Sequence, residues 1–338
     1  MQTAKFLDIS DKLICSGSRI VGYGLVSLTF IFIFNNYLNY WCDWPGVITF
    51  FEQLEWFGLT SRSLSTKIFI YSAIQFSLYP CLIICVIIFV FKKPNQHLEI
   101  DSDNLSRLCA YFIRGCFWSV LLIGFIDLII SFMRLEELLD LFLSKQFAQD
   151  LGRSQFRGEV VHYPLIMLSF IIAFFSRGLG FTWLSLLIVL AEIQIVIARF
   201  VFSYEQAFMA DLVRFWYGAL FLFSSAYTLL KEGHVRVDIL YAGFSKKSKA
   251  WTNAIGAIFL GIPLCWIILA LGMSGKFSII NGPLLTFEIT QQGYGLYVKY
   301  WLASFLLVFA VSMMIQFSSQ FLKSVSIILS KTNHGDAH

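Results

Sequence analysis

Charge is scarce in this chain. Of its 338 residues, 14% are Asp, Glu, Lys or Arg, against about 25% in an average soluble protein. So thin a polar coat excludes a water-soluble body, because 58% of the residues are hydrophobic and Phe alone occurs 36 times. One core of this size cannot hide that much apolar surface. The same composition excludes disorder and a collagen-like repeat. Cysteine offers no scaffold: there are seven, an odd number, with no CxxC pair. Cys81, Cys85, Cys109, Cys116 and Cys265 lie in or beside apolar runs, where Cys acts as a small hydrophobe. Histidine is sparse too. None of His97, His162, His234, His334 and His338 falls at the centre of an apolar run, which excludes a bis-histidine haem pair in the membrane. The H-E-x-x-H and G-x-S-x-G signatures are missing. Gly272-Met273-Ser274-Gly275-Lys276 has the wrong spacing for a phosphate loop, and no Ser or Thr follows the Lys. No enzyme, cofactor, metal site or nucleic-acid partner is expected.

What is present is apolar length. A membrane-spanning helix needs about 20 apolar residues. Ile20–Leu38, Ile68–Phe91, Leu108–Met133, Leu179–Val201, Leu212–Leu230, Trp251–Leu271 and Val298–Phe321 meet that need, with Lys299 snorkelling at the edge of the last. Val160–Phe175 is short: its helix would reach about 24 Å against about 30 Å of hydrocarbon. It is almost uniformly apolar, so a short span is favoured over a surface helix. The fold class expected is therefore all-α, a polytopic integral membrane protein with about eight transmembrane helices, seven being the alternative. Residues 1–160 would form an N-terminal membrane extension of about three spans, including an amphipathic surface helix over Glu136–Glu159. Residues 161–338 would form a four-helix unit preceded by the short apolar helix. The first 19 residues are polar, with Lys5, Lys12 and Arg19, so no cleavable leader is expected. Lys231, Arg236, Lys246, Lys247 and Lys249 place the 231–250 loop in the cytoplasm. The Gly272–Tyr297 loop, with only Lys276, then belongs outside. In the N-terminal half the basic residues do not discriminate between seven and eight spans.

Ionisable groups within the spans are few: Asp127 and Glu192, with Arg114 and Arg199 nearer the ends. Each costs about 2.5–3.5 kcal/mol on insertion scales. Glu192 and Arg199 are seven residues apart and so share one helix face. Such groups mark either an ion pathway or a polar contact to a neighbouring helix or subunit. The interrupted, paired helices of a transporter core are missing, which favours the contact.

The stretch 231–251 reads K-E-G-H-V-R-V-D-I-L-Y-A-G-F-S-K-K-S-K-A-W. A charged cytoplasmic loop accounts for the charges but not for the order His234-Val235-Arg236-Val237-Asp238-x-x-Tyr241. That order resembles the small membrane subunit of tripartite ATP-independent periplasmic (TRAP) transporters, the DctQ family. There the same segment follows the second span of a four-helix unit, and a Trp opens the third. Other residues agree in order. Arg199-Phe200-Val201-Phe202 resembles the "R-Y-x-F" ending the family's first span, and Asp211 stands where Glu usually precedes the second. Tyr227-Thr228-Leu229-Leu230 leads into the motif. Glu288-Ile289-Thr290 resembles the "E-x-S" of the last external loop; Gly295-Leu296, Lys299 and Gln316 follow in step. The departures are Phe200 for Tyr, Asp211 for Glu and Thr290 for Ser. The likeness covers about residues 165–330 and leaves the N-terminal half unexplained.

The resemblance implies a three-part uptake system in a bacterial inner membrane. A periplasmic binding protein captures a small organic acid, and a large permease subunit moves it on a sodium or proton gradient. The small subunit, embedded in membrane lipid, is a scaffold and hydrolyses no ATP. The implied motif and subunit-contact residues are His234, Arg236, Asp238, Tyr241, Arg199, Asp211, Glu192, Glu288, Lys299 and Gln316. The Glu192–Arg199 face is expected to meet the large subunit or another helix of this chain. A stand-alone transporter, with Asp127, Glu192 and Arg114 lining its pathway, is the rival reading.

Overall fold

The structure is a computed structural model. It describes residues 9–56, 65–178, 180–204, 207–231, 239–290 and 295–330. Every regular element among them is helical: α1 (Ile9–Tyr40), α2 (Val47–Gln53), α3 (Thr66–Lys92), α4 (Leu98–Leu135), α5 (Leu139–Phe142), α6 (Lys145–Leu151), α7 (Ser154–Arg157), α8 (Tyr163–Phe175), α9 (Phe181–Phe202), α10 (Ala207–Leu230), α11 (Ile239–Ala242), α12 (Lys246–Gly256), α13 (Ile262–Gly272), α14 (Asn281–Thr286) and α15 (Lys299–Leu329). Single π-turns, Gly158–His162 and Ala257–Gly261, join α7 to α8 and α12 to α13. The chain is thus all-α and polytopic.

Seven helical runs among the described residues are long and apolar enough to cross a membrane. Ser154–Phe175 is one of them. The apolar run Val160–Phe175 looked too short because the polar turn before it was assigned to a separate surface helix. In the structure that turn continues the same helical run, and Arg157 in it and His162 just after it are fully buried. Twenty-two residues reach about 33 Å, enough to span. The expected span Leu212–Leu230 forms α10 but is not among the seven. Arg214, Tyr217, Ser224, Ser225 and Tyr227 dilute its apolar content.

The expected surface helix over Glu136–Glu159 is instead three short helices, α5 to α7. Glu137 adopts a left-handed backbone, φ +55°. Leu138 N–H bonds to Met133 O at 2.8 Å and Glu137 N–H to Arg134 O at 3.3 Å, the paired closure that ends a helix. Leu143 is extended, and Ser144 then caps α6 through Phe147 N–H. Leu139, Ala148 and Leu151 form a small core under Ile130, Met133, Phe156 and Val161.

Contacts divide the chain into two units. The first comprises Met1–Ser106, Val235–Leu264 and Met314–His338. Within it, Gln75 of α3 donates to Asn35 (3.1 Å) and Asn39 (2.7 Å) of α1 and accepts from Gly46 N–H (2.8 Å). Interhelical amide bonds of this kind fix helix pairs where lipid gives no hydrophobic drive. Arg19 and Asp101, both fully buried, pair at 2.6 Å; Arg19 also donates to the Val90 and Lys93 carbonyls that end α3.

The second unit comprises Arg107–His234 and Cys265–Met313. Tyr297 O–H donates to Gly152 O (2.8 Å), and Tyr204 O–H to Glu136 Oε1 (2.5 Å). Segments near residues 136–152, 204 and 297 therefore share one end of this unit. That meeting fits a membrane crossing by each of α8 and α9, and by α10 as well as the α12–α13 run. An α8 lying on the surface would put Gly152 and Tyr204 on opposite sides.

Candidate functional site

The densest polar cluster in the second unit is built around Asp127, two turns before the end of α4. Its side chain has no solvent exposure. Oδ1 accepts from Arg157 Nη1 at 2.8 Å and from His162 Nε2 at 3.3 Å, and Oδ2 accepts from Tyr297 N–H at 2.7 Å. Arg157 and His162 are five residues apart, which an α-helix would turn onto different faces. The π-turn between them brings both to one carboxylate. Arg157 also donates to Leu151 O and Ser131 Oγ, and its guanidinium stacks 4.0 Å from the Tyr297 ring centre. Trp301 Nε1, which can only donate, bonds to His162 Nδ1 at 3.1 Å. Nδ1 is thus the acceptor, and the proton on Nε2 faces Asp127. Tyr300 O–H also points at Nδ1, so it shares that nitrogen's single lone pair with Trp301. Gly158 lets this turn close: a methyl there would collide with the Phe287 ring and crowd Tyr300.

The segment after α14 is tied down by two carboxylates. Asp211, at the start of α10, accepts from Thr290 Oγ1 and Leu296 N–H, both at 3.2 Å. Asp127 holds the next residue, Tyr297. Glu288 and Lys299 pair at 2.5 Å, half-exposed, and Tyr300 N–H bonds to Glu288 O. Four positions singled out by motif, Asp211, Glu288, Thr290 and Lys299, thus meet at one connection.

The other motif residues are dispersed. His234, Arg236 and Asp238 lie outside the described residues. Tyr241 O–H donates to Asn253 of α12 at 3.1 Å, with Lys249 5.4 Å from its ring centre. Gln316, buried in the first unit, faces Ser106 at 3.5 Å beside the Ser102–Ser319 hydrogen bonds. Glu192 and Arg199 are both exposed on α9, of which only Leu184 and Ala191 are buried. No hydrogen bond or ion pair joins Glu192, Arg114 and Asp127, and the last two are thirteen helical steps, about 20 Å, apart.

Sequence reasoning noticed Asp127 but missed Arg157, His162, Arg19 and Asp101. Arg157 was read into the surface helix over Glu136–Glu159 and His162 into the first turn of Val160–Phe175, and Arg19 and Asp101 into polar flanks. A charge at each edge of an apolar run, facing one at the edge of another, was the available signal. Chemically the Asp127 cluster is a lock: both carboxylate oxygens are engaged and it is sealed from solvent, with Arg157 Nη2 the one buried donor of the guanidinium left without a hydrogen bond among the described residues. Among the described residues, no group of three His, Cys, Asp or Glu side chains is placed to hold a metal ion.

Comparison with known proteins adds one match. Residues 186–326 match the family described as tripartite ATP-independent periplasmic transporters, DctQ component. No curated protein and no solved structure matches the chain. The matched stretch runs from the middle of α9 into α15, and it contains the Asp211 and Glu288–Lys299 ties described above. Region 186–326 of this chain is thus similar to the DctQ component of TRAP transporters, and an additional region of apolar helices precedes it.

Proposed function

We propose that the chain is the small membrane subunit of a TRAP-type secondary transporter in a bacterial inner membrane. In this reading it is a scaffold, not an enzyme. It works with a separate large permease subunit, which moves a small organic acid by ion symport, and with a periplasmic substrate-binding protein. One observation carries the reading beyond the family match: the Glu192–Arg199 face of α9. Glu192 stands at the middle of a spanning helix and is exposed. Left against lipid it would cost about 2.5–3.5 kcal/mol. Among the described residues nothing covers it, which supports a helix of another subunit there. The large permease subunit is the partner that the family supplies. The rival stand-alone pathway loses its central group, because Asp127 is already engaged by Arg157, His162 and Tyr297.

Single cysteines along Leu186–Phe200, in the chain co-expressed with its large subunit, test this. Crosslinks should recur with helical period, in a stripe centred on Glu192. Uniform labelling around the whole helix by a lipid-phase reagent, position 192 included, would refute the assembly reading. Arg236→Ala in the motif should lower the abundance of the complex more than its affinity for substrate. Normal assembly with tenfold weaker substrate binding would refute the scaffold role.

A further inference from the structure

Where α4 ends, an open cleft of about 640 Å³ is lined by Arg134, Glu137, Asp140, Gly152 and Arg153. Its lining lies before residue 186, outside the matched region, and meets the Asp127 lock only where Arg134 and Gly152 bond to the Tyr297 hydroxyl. Its chemistry is of two signs. Two guanidinium groups, planar forks that match phosphate oxygens, share the cleft with two carboxylates, which accept from an ammonium. Arg134 is held in place by its bond to Tyr297 O–H, its guanidinium passing close to Gly152. Arg153 is 72% exposed, and its 3.4 Å pairing with Asp150 is of the weak surface kind, open to exchange for a phosphate.

The setting indicates where the ligand comes from. The cleft sits where the apolar stretch of α4 gives out. Beside it Leu141 and Phe142 are exposed by 75% and 72%, and Phe132, one turn back on α4, is exposed too. Apolar side chains next to a charged cleft at a span's end mark the level where headgroups meet acyl chains. Glu137 lines the cleft from the left-handed position that glycine ordinarily takes at a helix end.

We propose that this cleft binds the headgroup of a zwitterionic phospholipid of the phosphatidylethanolamine type. The phosphate lies against Arg134 and Arg153, the ammonium against Glu137 and Asp140, and the chains run past Phe132, Leu141 and Phe142. The proposal rests on the membrane placement of the chain and not on its role in transport.

The test uses the full chain, purified in mild detergent and examined by native mass spectrometry. Phosphatidylethanolamine and phosphatidylglycerol with identical acyl chains are offered in competition. Wild type should retain the zwitterionic lipid about tenfold better, the value of a hydrogen bond to a charged group. Glu137→Gly, which relieves the backbone, should fold at least as well yet lose most of that preference, as should Asp140→Asn. Arg153→Gln should weaken both lipids. Equal retention of the two lipids by wild type, or a preference untouched in both carboxylate variants, overturns the proposal. So does displacement of the lipid by soluble O-phosphoethanolamine at equal concentration, which would make this a site for a free zwitterion.

Discussion

Asp127 and Glu192 are both carboxylates well inside apolar helices of the same unit, and the structure treats them in opposite ways. Asp127 is sealed, with an arginine, a histidine and a backbone N–H spent on it. Glu192 stands exposed on α9, a helix that buries only two of its side chains. The difference teaches that a charge in a span has no fixed meaning. A satisfied charge holds the chain to itself. An unsatisfied one is a statement about what must lie next to the chain in the membrane.

That contrast can be broken most sharply at Arg157. Arg157→Ala leaves Asp127 buried and short of its main partner, and should cost about 3–5 kcal/mol. Thermal unfolding in detergent, and abundance in membranes, should both fall; Asp127→Asn with Arg157→Met, which removes both charges but keeps an acceptor for Tyr297 N–H, should recover part of the loss. Unchanged unfolding in the single variant would mean that the cluster locks nothing. Gly158→Ala should cost about 1–3 kcal/mol by forcing Phe287 and Tyr300 off the π-turn, again read by thermal unfolding. On the exposed side the sign of the contrast reverses. Glu192→Gln with Arg199→Gln should leave the unfolding of the isolated chain within about 0.5 kcal/mol of wild type. Capture of the large subunit should weaken about tenfold, or 1.4 kcal/mol. A destabilised chain that still captures its partner would erase the distinction between the two carboxylates. Smallest is Glu137→Gly, expected to gain about 1 kcal/mol as the left-handed strain is relieved; a loss would show that the Glu137 side chain supports the fold.

Periodic, local signals carried most of the fold. Apolar length gave every span, and motif order gave the family region. Val160–Phe175 was legible as apolar but not as long enough, because its helix continues back through Arg157 to Ser154, and the burial of Arg157 depends on a residue on α4. No 3.6-residue pattern foretells a π-turn that puts positions five apart on one carboxylate. The site was partly legible. Asp211, Glu288 and Lys299 were found by family order, and the structure adds what they do together: they fasten the connection before α15. Leu212–Leu230 was legible as a helix, yet its Tyr and Ser content leaves it below the apolar content of its neighbours. The single surface helix over Glu136–Glu159 failed at Glu137, where a residue that rarely takes a left-handed backbone does so.

The Asp127 lock also fixes an order of events in biosynthesis. Asp127 enters the membrane with α4, but Arg157 is synthesised 30 residues later and Tyr297 170 residues later. At ribosomal speeds of about 5–20 residues per second, the wait for Tyr297 lasts roughly 10–30 s. During that interval the insertion machinery holds a helix whose central carboxylate has only part of its final company. A nascent chain stopped before the last helix would therefore carry an unfinished lock into the bilayer, a ready mark for quality control to act on.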